Sequence, residues 1–100
     1  ERGYSMSSMR YKKILEPIAE LLMRKNIDYG NSYDKLREEY GPTGFYIRIA
    51  DKLSRIKQLD ANPSHVKDEA IEDTIRDIIG YATLELLYRQ NKEEEGPWMP

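Results

Sequence analysis

The chain contains no cysteine and a single histidine, His65. The first absence excludes disulfide frameworks, thiolate chemistry and cysteine-ligated zinc or iron–sulfur sites; the second excludes a histidine-rich metal centre. There is one Phe and one Trp. No apolar run approaches the roughly 18 residues that a membrane-spanning helix requires, and the N-terminus shows no signal-peptide core, so the expected compartment is a cytoplasm, a bacterial one if the chain is phage-encoded. Neither sign of charge dominates: 16 Lys and Arg stand against 18 Asp and Glu, a net charge of −2. That balance argues against an acidic disordered tail and against direct nucleic-acid binding, which wants a basic domain. No GxxxxGK[ST] or GxGxxG loop occurs, and a Ser–His–Asp triad would have only His65 to draw on.

What is present is charge, tyrosine and helical periodicity. Charged residues make up 34% of the 100 positions and apolar residues 39%, and eight of the ten aromatics are Tyr. Tyrosine joins apolar area to a hydrogen-bonding tip, which suits half-wet positions in interfaces and pockets. A chain of this length buries only about 60–65% of its unfolded surface, so association with a partner or with itself would help it.

The spacing predicts an all-α fold: a small helical bundle with a kinked first helix and a long central last helix. Residues 1–7 read as a disordered or appended segment, 8–90 as the helical domain and 91–100 as a flexible tail in which Trp98 could dock. The first helix is expected from about Ser8 to Arg24, kinked or split at Pro17, which removes a backbone donor. The turn formers of residues 25–32 follow, then a short helical piece from about Tyr33 to Tyr40 and a break at Gly41-Pro42-Thr43-Gly44. The next helix, about Gly44 to Leu59, gathers Phe45, Ile49, Leu53, Ile56 and Leu59 into one arc of roughly 80°, with Lys52 at its border. The last, about His65 to Gln90 with Ser64 as N-cap, is apolar on two sides. Ile71, Ile75, Ile78, Ile79, Ala82 and Leu86 form the expected core arc. Val66, Ala70, Tyr81, Leu84 and Tyr88 form a second arc, suited to a central position or to a homo-oligomer.

Three groups of residues could carry chemistry. Glu69, Asp73 and Asp77 recur every fourth residue on one side of the last helix, a spacing that lets carboxylates converge on Mg²⁺, which takes oxygen ligands and bridges substrate phosphates. The alternative is a structural ion-pair network in which cations of the preceding helix neutralise them. Arg48, Lys52 and Arg55, around Asp51, supply the fork and point charges that phosphate oxygens match, or else ordinary intrahelical pairs. Lys25, Asn26, Asp28, Tyr29 and Asn31 could read a base or ribose, with Gly30 permitting close approach, or could simply be a helix connection. Tyr81, on the same arc as Asp77, is counted with the nucleotide-binding set.

The runs Lys25-Asn26-x-Asp28-Tyr29-Gly30-Asn31-Ser32, Ile47-Arg48-Ile49-Ala50-Asp51-Lys52-Leu53-x-Arg55 and Lys67-Asp68-Glu69-x-Ile71-Glu72-Asp73-Thr74-Ile75-x-Asp77-x-x-Gly80-Tyr81-Ala82 resemble the phage and prophage family of nucleotide modification associated domain 1. The acidic last helix is more distantly similar to the MazG-like all-α nucleoside triphosphate pyrophosphatases. That second resemblance implies Mg²⁺ held by acidic residues on two adjacent helices and hydrolysis of a triphosphate. The chain departs from the pattern: Arg48-x-x-Asp51 stands where a Glu pair is wanted, and Thr74 stands three residues before Asp77.

Three functions follow as expectations. One is a Mg²⁺-dependent nucleoside triphosphate pyrophosphohydrolase with Glu69, Asp73 and Asp77 as metal ligands. Another is a non-catalytic sponge that sequesters a nucleotide-derived immune signal as an anti-defence protein. The third is a structural oligomerisation module. The expected partners are a nucleotide or nucleotide-derived small molecule and further copies of the chain.

Overall fold

The computed structural model describes residues 6–29, 31–62 and 67–95, with side chains over 6–25, 31–62 and 69–92. Four helices account for almost all of them: α1 (Met6–Tyr29), α2 (Ser32–Tyr40), α3 (Thr43–Asp60) and α4 (Lys67–Glu95). There are no strands among the described residues, and the all-α expectation holds. None of these helices is long and apolar enough to cross a membrane. The chain divides into two units, Glu1–Asn31 and Ser32–Pro100.

The first unit is built on α1. The helix runs on through Pro17 for 24 residues rather than splitting there. It also continues past Arg24 to Tyr29, across residues that read as turn formers. Asn and Asp cost a helix interior only a few tenths of a kcal/mol each, too little to stop it before a glycine is reached. Asn31 follows with φ of 49°, the left-handed conformation that Asn tolerates better than most residues. The expected N-cap Ser64, together with His65, Val66 and Trp98, lies outside the described residues.

In the second unit α2 and α3 follow the predicted bounds closely, and α4 runs past its predicted end. Gly41 (φ +66°) ends α2, its N–H donating to the Arg37 carbonyl at 2.8 Å. Pro42 turns the chain into α3, its carbonyl accepting from Phe45 and Tyr46 N–H at 3.1 and 3.2 Å. The corner is tight: a Cβ placed on Gly44 would lie 3.1 Å from Leu36 Cγ. Because only glycine holds a positive φ without strain, Gly41→Ala is expected to destabilise the unit by about 1–2 kcal/mol in urea denaturation, and Gly41→Asn by less.

α3 packs along α4. The pairings of Arg48 with Tyr81 and of Lys52 with Asp77 show that the two run antiparallel. The half-buried positions of α3 are Phe45, Ile49, Lys52, Ile56 and Leu59, alternating four and three residues apart, while Leu53 is 46% exposed. The core face is therefore turned slightly toward Lys52. On α4 the correction is larger. The covered seam is Ile71, Thr74, Ile78, Tyr81, Glu85 and Tyr88, again alternating three and four apart. Ile75 and Leu86, placed in the core by periodicity, are exposed. Thr74 is buried because its hydroxyl donates to the Ala70 carbonyl at 2.7 Å, which satisfies it within its own helix. Past Gln90, α4 continues to Glu95.

Candidate functional site

Two polar groupings lie along the covered seam of α4. The deeper one centres on Glu85, buried at 4% exposure. Arg37 of α2 grips it with a two-pronged contact, Nε donating to Oε1 at 2.8 Å and Nη2 to Oε2 at 3.0 Å. The Tyr33 hydroxyl donates to Oε1 at 2.6 Å, and Arg89 Nε, one turn along α4, donates to Oε2 at 2.5 Å. Burial pushes the Glu85 carboxyl up, but the hydrogen bonds from Arg37, Tyr33 and Arg89 outweigh it and bring the pKa down to about 2. Tyr33 moves the opposite way, raised by its own burial and by the Glu85 carboxylate it donates to. The Arg37 guanidinium also lies 4.5 Å from the centre of the Tyr88 ring. Tyr88 in turn donates to Glu38, which Lys92 meets at 3.0 Å. The arc expected to face another subunit is thus partly taken up within the chain, since Tyr88 is bound to α2.

The second grouping is more open. The Tyr81 ring has Arg48 and Lys52 of α3 at 5.9 and 6.0 Å from its centre, and the tilted Tyr33 ring at 6.3 Å. Lys52 Nζ stands 3.3 Å from Asp77 Oδ2, one turn before Tyr81 on α4. Antiparallel packing creates this arrangement: cations four apart on α3 come level with an acid and an aromatic four apart on α4. Tyr33 touches both groupings, its ring beside Tyr81 and its hydroxyl on Glu85.

Of the residues proposed from sequence, Arg48, Lys52, Asp77 and Tyr81 come together. Asp51 and Arg55 are exposed on α3, and Glu69 is exposed on α4. Asp73 turns to its own helix and accepts from Arg76 at 2.9 Å instead of meeting α3. Lys25 is exposed on α1 and Asn31 follows that helix, both in the first unit, while the side chains of Asn26, Asp28 and Tyr29 lie outside the described residues. Among the described residues no three acidic or histidine side chains are grouped to hold a metal ion. Asp73 and Asp77 each face a cation instead of one another. Exposed pairs such as Asp73–Arg76 contribute little. Asp73→Asn is therefore expected to change unfolding free energy by less than about 0.5 kcal/mol in a denaturant titration.

Glu85, Arg37, Tyr33 and Arg89 were not legible as a group from sequence. A signal did exist: Tyr33 and Arg37 share one face of α2 at four-residue spacing, and Glu85 falls on the seam occupied by Ile71, Ile78 and Tyr81.

The chain belongs to the family described as nucleotide modification associated domain 1, which it matches over residues 25–88. That span takes in Arg48, Lys52, Asp77, Tyr81 and the Glu85 network apart from Arg89. No curated protein and no solved structure matches the chain.

Proposed function

We propose that the domain binds a phosphorylated nucleotide on the open side of the α3–α4 pair. In this reading Arg48 and Lys52 hold phosphate oxygens, while Tyr81 offers its face to the base or ribose. The observation that carries it is the placing of both cations about 6 Å from one tyrosine ring. Arg supplies a planar fork for phosphate and Lys a compact charge, and aromatic stacking tolerates any base because every base has a π-face. Asp77 keeps Lys52 beside the ring until an anion arrives. The pair is partly solvated, so exchanging the carboxylate for a phosphate costs little.

Binding without turnover is favoured over hydrolysis by the state of the acids. Capture of a nucleotide or a nucleotide-derived signal requires only that Lys52 exchange Asp77 for phosphate. A Mg²⁺-dependent pyrophosphohydrolase would require Asp73 to leave Arg76 and Asp77 to leave Lys52 before the two could share an ion. The deciding experiment incubates the protein with a mixed panel of nucleotides and Mg²⁺, then chromatographs both the panel and whatever is released on denaturation. Unchanged nucleotide recovered from the protein supports capture; a Mg²⁺-dependent product supports hydrolysis. No retention and no product would overturn both.

A further inference from the structure

α4 carries a second apolar seam that is exposed at its two ends. Ile75, Ile79, Ala82 and Leu86 stand four, three and four residues apart, the alternation of a two-helix seam. It lies roughly 130° around the helix from Tyr81 at 100° per residue, well away from the candidate nucleotide site. Ile75 is 45% exposed and Leu86 60%, with Ile79 and Ala82 half-buried between them. One further step along the same alternation, Glu72 closes the seam at its N-terminal end and Arg89 at its C-terminal end.

We infer that this seam pairs with the same seam of a second copy of the chain, antiparallel, about a two-fold axis between Ile79 and Ala82. The order of residues selects both occupant and orientation. In a parallel pair Glu72 would face Glu72 and Arg89 would face Arg89, two like-charge layers. In the antiparallel pair Ile75 meets Leu86 of the partner subunit, Ile79 meets Ala82 of the partner subunit, and Glu72 meets Arg89 of the partner subunit. Each charged layer then carries opposite signs, and the contact is self-complementary, as a two-fold interface must be. Both charges are available for this. Glu72 approaches Arg76 at 3.7 Å on the exposed surface. Arg89 has further N–H donors beyond the Nε given to Glu85, and its side chain is 57% exposed. From Glu72 to Arg89 the seam is about 26 Å long. That is shorter than the patch of about 800 Å² per partner typical of stable interfaces needs. The dimer is accordingly weak and concentration-dependent, with both Tyr81 sites left away from the seam.

The test uses the full chain. Sedimentation equilibrium over a wide concentration range is expected to show a reversible monomer–dimer equilibrium, and Leu86→Lys is expected to hold the protein monomeric with unchanged helical circular dichroism. Orientation is read from cysteine substitutions, which are unique in this cysteine-free chain. A mixture of the Ile75→Cys and Leu86→Cys proteins is expected to give a mixed disulfide. Leu86→Cys alone is expected to give none, because in the antiparallel register its two copies are roughly 16 Å apart along the axis, against the 7 Å or less that a disulfide spans. A disulfide from Leu86→Cys alone, without the mixed species, would overturn the antiparallel pairing. A chain that stays monomeric at every concentration would overturn the pairing itself. So would a Leu86→Cys thiol that resists reagent in dilute monomer, by showing that the seam is covered from within the chain.

Discussion

Glu85→Gln is expected to lower the melting temperature by roughly 12–24 °C, the equivalent of about 3 kcal/mol in a domain of this size. The amide keeps the shape of the carboxylate and can still accept from Tyr33. It leaves the Arg37 guanidinium, 10% exposed, without a counter-charge in a site arranged around one. Removing one member of a buried pair is costly for that reason, even where an apolar replacement of the whole pair would not be. The same contacts set a pH dependence. The Glu85 pKa is about 2, against an ordinary 4.5. A depressed carboxylate contributes stability that is fully present above the unfolded value and is lost as pH falls from about 4.5 through about 2. The contribution is on the order of 3 kcal/mol. Tyr33, raised in the folded chain, gives the opposite sign at the alkaline end: its contribution is present below pH 10 and is lost as pH rises beyond it. Thermal melts of parent and Glu85→Gln across pH 2–8 check the acid side, and melts of the parent above pH 10 check the alkaline side. The two curves should converge toward pH 2, and a difference independent of pH would show that the charge of Glu85 is not what holds α2 to α4.

Arg48→Ala and Lys52→Ala are each expected to weaken nucleotide binding by roughly 10- to 150-fold, the loss of one charge-assisted phosphate contact of about 1.5–3 kcal/mol. The ligand is the nucleotide that the panel experiment recovers, measured by titration calorimetry. Lys52 is half-buried and packs its stem in the α3 seam, so Lys52→Met is the better variant for separating charge from packing. It should lose affinity as Lys52→Ala does while melting close to the parent. Tyr81→Leu should cost about 1–3 kcal/mol of affinity through lost stacking. It removes ring contacts with Tyr33 as well, so its melting temperature has to be read alongside. If Arg48→Ala and Lys52→Met both bind like the parent, the two cations belong to the α3–α4 packing alone.

The amino-acid order was sufficient for the all-α class, the break at Gly41-Pro42 and the extents of α2, α3 and most of α4, because these depend on local matters: a three-to-four periodicity, a positive φ and a missing N–H. It was sufficient also to single out Arg48, Lys52 and Tyr81 as nucleotide-binding candidates, since phosphate-matching cations and an aromatic can be recognised by type. Asp77, however, it grouped with Glu69 and Asp73 as metal ligands, keeping its pairing with a cation of α3 only as the alternative. It erred at residues 25–29, where weak helix formers look like a turn but no residue present forbids another helical turn. It could not say which of two adjacent seams of α4 faces inward. Ile75 and Leu86 are as apolar as Ile71 and Ile78, so periodicity favours neither. The choice rests on Glu85, which finds Tyr33 and Arg37 only when that side of α4 meets α2. The partners lie 48 and more residues apart in the chain, and no local pattern links them. The same packing decided which acid meets a base from α3: Asp77 comes level with Lys52, while Asp73, one turn earlier, is left to Arg76.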